Sequence, residues 1–401
     1  MHLRLASTIL ALVVMPPYAH AEQKEPPYVV VGTGQTKCYD DRGSISPPAT
    51  GEPFCGQDAQ HPGPKPSYKD NSDGTVTDLN TGLAWVQARG SKVTWDDAVA
   101  GAAECRVGGH DDWRMPTIKE LYSLIDFRGY HDPHKGGAGS VPYLDAEVFG
   151  FEYGDERQGE REIDCQDWSA TEYVETTMGG DPTVFGVNFA DGRIKGYPKA
   201  RRRPGGGQPT ANVLYARYVR GNPAYGRNDF HDNGDGTVTD GATSLMWTRA
   251  DSVKGLDWEH ALAYAEALDT AGHDDWRLPN AKELQSIVDY SRVPAIDPVF
   301  EISKLDDGEA PFFWSSTTHL DGPPDRRGPA AVYVAFGRAL GWMRIPPGAA
   351  QPRLLDVHGA GAQRSDPKSG DPAESPFGRG PQGDVIRIYN HVRCVRDAKG
   401  P

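Results

Sequence analysis

The sequence predicts an α+β fold built twice in tandem, and three observations predict it. Asp70-Asn-Ser-Asp-Gly-Thr-Val-Thr-Asp78 returns as Asp232-Asn-Gly-Asp-Gly-Thr-Val-Thr-Asp240, and Gly109-His-Asp-Asp-Trp-Arg-Met-Pro116 returns as Gly272-His-Asp-Asp-Trp-Arg-Leu-Pro279. Of nine tryptophans only Trp342 lacks a counterpart, the others pairing as 85/247, 95/258, 113/276 and 168/314. Each copy runs from a hairpin pattern through two helical patterns to short β-rich runs. A period near 160 residues is far longer than a solenoid repeat, so each copy is expected to be a complete domain with its own core.

The elements follow in order. Residues 1–21 read as a secretory signal, with Arg4, an apolar run from Leu5 to Met15 and the small-x-small site Ala19-His20-Ala21. That run is too short to span a bilayer comfortably, and nothing downstream reaches the roughly 18 apolar residues a spanning helix needs. Export to the periplasm or the exterior is therefore expected. Residues 22–66 form a Pro-rich leader, and the two copies are placed at 67–226 and 227–401. In the second copy, Asn233-Gly-Asp-Gly236 is a turn signal followed by the β-branched Thr237-Val-Thr239, a second turn and Leu245-Met-Trp247, which predicts a hairpin. Asp257 caps a helix carrying Ala261, Leu262, Ala265 and Leu268, and Gly272 ends it. Asn280 caps a second helix with Leu284, Ile287 and Val288 on one side. Strands are expected at Phe312–Thr317, Ala331–Phe336 and Ile386–Val395. Unequal spacings, as between Leu121 and Trp168 against Leu284 and Trp314, mark copy-specific surface loops.

Composition excludes several classes. With 47 Gly and 33 Pro in 401 residues the chain is loop-rich, while 9% aromatic content argues against general disorder. A net charge of -14 makes nucleic acid a poor partner. The five cysteines show no CxxC pair and no zinc spacing. Export allows disulfides, and the expected pairs are Cys38–Cys55 in the leader and Cys105–Cys165 in the first copy, with Cys394 left over. Either bridge stabilises by roughly 3–4 kcal/mol in the chain-entropy model.

The acidic turns invite a calcium reading, but the EF-hand register puts His231 and Ala242, or Lys69 and Asn80, where carboxylates are required. A hairpin turn is preferred, with calcium in an irregular geometry as the alternative. His110, Asp111 and Asp112, like His273, Asp274 and Asp275, are consecutive and point to opposite sides of an extended chain, so they read as a helix stop followed by a packed Trp and a charge-paired Arg. Glu120 and Glu283 read as capping residues. No G-x-S-x-G elbow, H-E-x-x-H helix or phosphate loop occurs, and catalysis is disfavoured. His131 and His134 form a loop pair without a counterpart in the second copy.

Two copy-specific stretches are the candidate binding regions. Arg193, Lys195, Lys199, Arg201, Arg202 and Arg203 gather positive charge suited to sulfate or carboxylate groups, the competing reading being a solvated loop. Residues 337–380 hold Trp342, Arg344 and His358 among many Gly and Pro, and an exposed Trp342 could stack on a sugar ring.

The ordered motifs, from the Asp/Asn/Gly hairpin through Leu245-Met-Trp247, the Trp-Arg-Leu-Pro element, Lys282-Glu-Leu284 and Phe313-Trp-Ser-Ser-Thr317 to Val392-Arg-Cys-Val-Arg396, resemble the C-terminal domain of the Legionella collagen-like adhesin. The resemblance covers both copies. The Trp-Arg-Leu-Pro element also resembles the sulfatase-modifying proteins, which implies two tandem C-type-lectin-like domains. The adhesin resemblance implies extracellular binding of sulfated or acidic glycans. This chain departs by lacking a collagen Gly-X-Y tract and the paired-cysteine site of the sulfatase-modifying enzymes. An enzyme on that scaffold and a structural envelope module are the alternatives. Lectin-like folds also imply a helix-to-last-strand bridge, which here would be Cys105–Cys394 between the copies.

Overall fold

The computed structural model describes residues 26–132, 139–201, 207–323, 327–345 and 348–398. The expected signal segment and cleavage site, His134, Arg202 and Arg203 lie outside the described residues.

The fold is mixed α+β. A leader hairpin, β1 (Cys38–Tyr39) and β2 (Ser44–Ile45), precedes the repeats. The first repeat contains β3 (Tyr68–Asp70), β4 (Thr75–Asp78), β5 (Leu83–Val86), α1 (Trp95–Glu104), α2 (Ile118–Ser123), β6 (Asp167–Thr177), β7 (Asp181–Asn188), β8 (Arg193–Pro198), β9 (Ala200–Arg201), β10 (Thr210–Ala211) and β11 (Val219–Gly221). The second contains β12 (Phe230–Asp232), β13 (Thr237–Asp240), β14 (Leu245–Thr248), α3 (Trp258–Glu266), α4 (Ala281–Ser286), β15 (Phe312–His319), β16 (Ala330–Ala335), β17 (Leu340–Met343), β18 (Arg353–Asp356), β19 (Gln363–Pro367) and β20 (Val395–Asp397).

The predicted hairpins form as read. Each repeat has a four-stranded antiparallel sheet, β3-β4-β5 closed by β11 and β12-β13-β14 closed by β20. The registers match, with Val76 opposite Trp85 and Val238 opposite Trp247. Gly74 and Gly236 adopt positive φ in the turns, where a side chain would be strained. All four helices carry side-chain N-caps, from Thr94, Thr117, Asp257 and Asn280. At Thr117/Glu120 and Asn280/Glu283 the cap closes into a full capping box, worth about 1 kcal/mol each. The last expected strand is shorter than the pattern implied, pairing only from Val395, because residues 386–394 spend their backbone groups on irregular contacts such as Leu256 N to Asn390 O.

The expectation of two separate cores holds only in part: each repeat keeps a cluster of its own, around Trp168 in the first and Trp314 in the second, but the main cluster is shared. A six-stranded antiparallel sheet has the order β15-β16-β19-β8-β7-β6, a palindrome in which three strands of one repeat meet three of the other. They join at β8 and β19, where Ile194 lies opposite Gln363. One buried cluster takes Trp85, Leu121, Phe185 and Val219 from the first repeat and Trp247, Leu284, Phe313 and Val395 from the second. The helices α2 and α4 exchange reciprocal bonds across the same pseudo-dyad. Lys119 Nζ donates to the carbonyl of Ser286 at 2.7 Å, and Lys282 Nζ to that of Ser123 at 2.8 Å. Strands that alternate inward-facing apolar residues on both sides of such a junction cannot be parted without exposing it.

The leader is a strap rather than a tail. Tyr28 N donates to Ala242 O, Phe127 N to Thr33 O, and the Gln35 side chain bonds both the N–H and C=O of Thr318. Asp58, fully buried, accepts from the hydroxyls of Thr33 and Thr317. The expected disulfides are also corrected: all five cysteines are free. Cys165 faces Glu162 O and Asn188 Oδ1 inside the first repeat, whereas Cys105 ends α1 partly exposed. Cys394 is buried under α3, and Cys38 and Cys55 are close enough for one thiol to raise the pKa of the other, with burial the larger cause.

Candidate functional site

The repeated motif residues are consumed by the scaffold. Arg114 and Arg277 grip Glu120 and Glu283 at 2.5–2.7 Å, fixing the turn before each second helix. Asp112 and Asp275 accept from Arg220 and Arg396 at 2.6 Å and pin the last strands. Trp168 Nε1 donates to Val93 O, and Trp314 Nε1 to Leu256 O. Buried Arg217 and Arg393 each bind three backbone carbonyls of their own repeat. In the acidic turns, Asp73 and Asp235 are held by Thr75 and Thr237 at 2.6 Å. His110 and His273 sit beside Trp113 and Trp276, and no group of three metal-type side chains occurs among the described residues.

Chemistry is left free at the seam between the repeats. A cleft of about 750 Å³ opens there, floored by α2 and walled by residues 223–230 and the turn after α4. Tyr225, Phe230 and Tyr290 present rings to it, and Arg227, Asn228, Asp289 and Asp297 present polar groups. The rings are fixed from behind: Tyr290 donates to Gly361 O and packs edge-on against Phe185, Phe230 packs on Phe300, and Tyr225 on Tyr28. Lys119 is tied to Gly226 O and Asn228 Oδ1 as well as to Ser286, which orders the wall, and burial pushes its pKa down to about 8. Arg227 is exposed with no ion pair among the described residues.

The sequence-predicted binding residues scatter. Arg193 and Lys195 are not on a basic loop: they lie in β8 at the centre of the six-stranded sheet, Arg193 bonded to Asp321 at 2.6 Å and Lys195 to Asp191 at 3.2 Å. Burial opposes the charge on Asp191, but Lys195 and Arg193 outweigh it and hold the carboxyl well below the usual range. Lys199 bonds Glu172, and Arg201 is exposed beside Asn212. Trp342 is half-buried in the β17–β18 hairpin, edge-on to Phe377. Arg344 turns back onto the carbonyls of Ala349 and Ala350. His358 is buried against Asp384 at 2.9 Å, and burial pushes its pKa down to about 4. Arg193, Lys195 and His358 come near one another in the buried junction of β8, where Gly196 N donates to His358 O, but the remaining residues do not join them. The cleft residues were passed over because they sit in the connection and turns, outside the motifs; the signal that could have found them is the short 222–229 link, which must lie where two fused repeats meet.

Fold and cleft together define a duplicated α+β protein whose repeats share their main core cluster and border an open groove. A family model described as the Lcl C-terminal domain matches residues 74–204 and again residues 236–344, one match in each repeat. The chain belongs to that family, as the motif resemblance implied. Neither a curated protein nor a solved structure matches the chain. No helix among the described residues is long and apolar enough to cross a membrane.

Proposed function

We propose that this is a non-catalytic binding protein of the periplasm or cell exterior, that its repeats are C-type-lectin-like, and that a glycan is the ligand of the inter-repeat cleft. The observation that carries the reading is the cleft lining, three rigid aromatic rings interleaved with amide, carboxylate and guanidinium groups. Rings cover the apolar face of a pyranose, and planar polar groups fix its hydroxyls. Exposed Arg227 gives the site a cation for a sulfate or carboxylate substituent, the role the sequence had suggested for the Arg193–Arg203 stretch. The small antiparallel sheets and paired helices of each repeat support the lectin-like comparison.

A glycan array probed with the protein, with and without calcium, tests this. Tyr290→Ala is expected to weaken the best ligand at least tenfold, and Arg227→Ala to weaken acidic glycans more than neutral ones. Retention of no glycan, or equal binding by wild type and Tyr290→Ala, would remove the cleft from consideration.

A further inference from the structure

The two repeats are alike in sequence but not in what covers them. In the second repeat, the leader lies along the outer edge of the six-stranded sheet. Asp58 reaches Thr317 on β15, the Gln35 side chain pairs with the backbone of Thr318, and Phe54 packs against Trp258 with ring centroids 6.2 Å apart. Lys368 Nζ lies 3.9 Å from the Trp258 ring and donates to the carbonyls of Tyr39 and Asp40.

The same corner exists on the first repeat with nothing described upon it. Lys199, which like Lys368 follows the proline that ends the third sheet strand, lies 3.7 Å from the Trp95 ring. Thr171 accepts from Ile118 N as Thr317 accepts from Ala281 N, but no carboxylate meets its hydroxyl among the described residues. Exposure follows suit. Val99 is 42% exposed where its counterpart Leu262 is 0%, and Val174 is 51% exposed where Leu320 is 6%. Strand β6 is an edge of the sheet, its Trp168 and Ala170 N–H groups donating to Tyr215 O and Pro116 O, and β15, the opposite edge, is buried along its whole length.

We propose that this flank is a docking face for a polypeptide segment of the leader's type supplied by another protein molecule, one carrying an aromatic residue four positions before a carboxylate. The occupant is argued from the symmetric flank, where the chain's own leader shows what such a corner accepts. The carboxylate accepts from Thr171, the aromatic ring covers Trp95 and Val99, and the ammonium of Lys199, which spends one proton on Glu172 at 2.8 Å, has two left for backbone carbonyls. The β6 edge supplies the remaining main-chain partners. The flank meets the cleft only at Thr171, which lines both, while Trp95, Val99 and Lys199 lie outside the cleft, so this inference does not rest on glycan binding.

The probe is a labelled peptide of residues 35–62, which carries Gln35, the Tyr39 and Asp40 carbonyls, Phe54 and Asp58, titrated with the full chain under reducing conditions and read by fluorescence anisotropy. Saturable binding is expected, weakened at least tenfold by Lys199→Ala, by the surface change Val99→Glu, and by Asp58→Ala within the peptide. Absence of binding, or binding that none of these changes alters, as when the peptide merely displaces the native leader, would overturn the proposal. So would capture on this flank of a glycan in place of the peptide, abolished by Val99→Glu.

Discussion

Asp58 offers the sharpest test of the strap. Its carboxylate is completely buried, and both hydroxyl bonds, from Thr33 at 2.8 Å and Thr317 at 2.5 Å, go to the same oxygen, Oδ2. Burial is the largest influence on it and pushes its pKa from 3.8 up to about 6, the two hydroxyl bonds opposing. Because the folded value lies above the unfolded one, Asp58 contributes stability that is fully present below pH 3.8 and is lost as pH rises through about 6. Between these limits the folded protein keeps a proton that the unfolded chain has released, and at 1.36 kcal/mol per pH unit the loss integrates to roughly 3 kcal/mol. Asp58→Asn keeps an oxygen for both hydroxyls and carries no charge at any pH. Urea midpoints of the two proteins from pH 4 to pH 7.5 should therefore diverge, the variant gaining on wild type by about 3 kcal/mol across the range. Asp356 and Asp366, whose pKa values burial also pushes to about 6, are common to both proteins and cancel in the difference. A difference that stays constant with pH, or that moves against the variant, refutes the argument that a buried, ionised carboxylate anchors the leader.

The two Arg–Glu grips should not be equivalent despite identical sequence. The Arg277 side chain is 12% exposed and that of Arg114 36%, so Arg277→Met should cost about 3–5 kcal/mol and Arg114→Met clearly less, as measured by denaturant unfolding. The thiols should respond in two classes to a small alkylating reagent: Cys105, half-buried at the end of α1, reacts in the native protein, while Cys38, Cys55, Cys165 and Cys394 react only on unfolding. Recovery of fewer than five thiols from the denatured, unreduced protein would contradict the free state.

Much of each repeat was legible because its motifs are local. Turn glycines, Asp257 and Asn280 at helix starts, and apolar spacing in α3 each act through neighbours in sequence, so pattern and structure agree. The palindromic sheet was not legible, because nothing in β8 or β19 distinguishes a strand that ends a domain from one that continues into its copy. Local charge density misled at Arg193 and Lys195, since their neutralising partners include Asp321, far away in sequence. The Pro-rich leader reads as a segment pinned by a local Cys38–Cys55 bridge, yet its decisive contacts come from single side chains, Gln35 and Asp58, which carry no periodic signal.

The reciprocal Lys119 and Lys282 contacts and the palindromic sheet have the geometry of a twofold dimer whose subunits have been fused into one chain. In a true homodimer every substitution appears on both sides of the axis, so a covering segment gained by one subunit is gained by the other. Fusion ends that constraint. Each half can then drift under its own selection, one flank sealed for rigidity while its twin stays open for encounter, a division of labour that an unfused dimer of identical chains cannot encode.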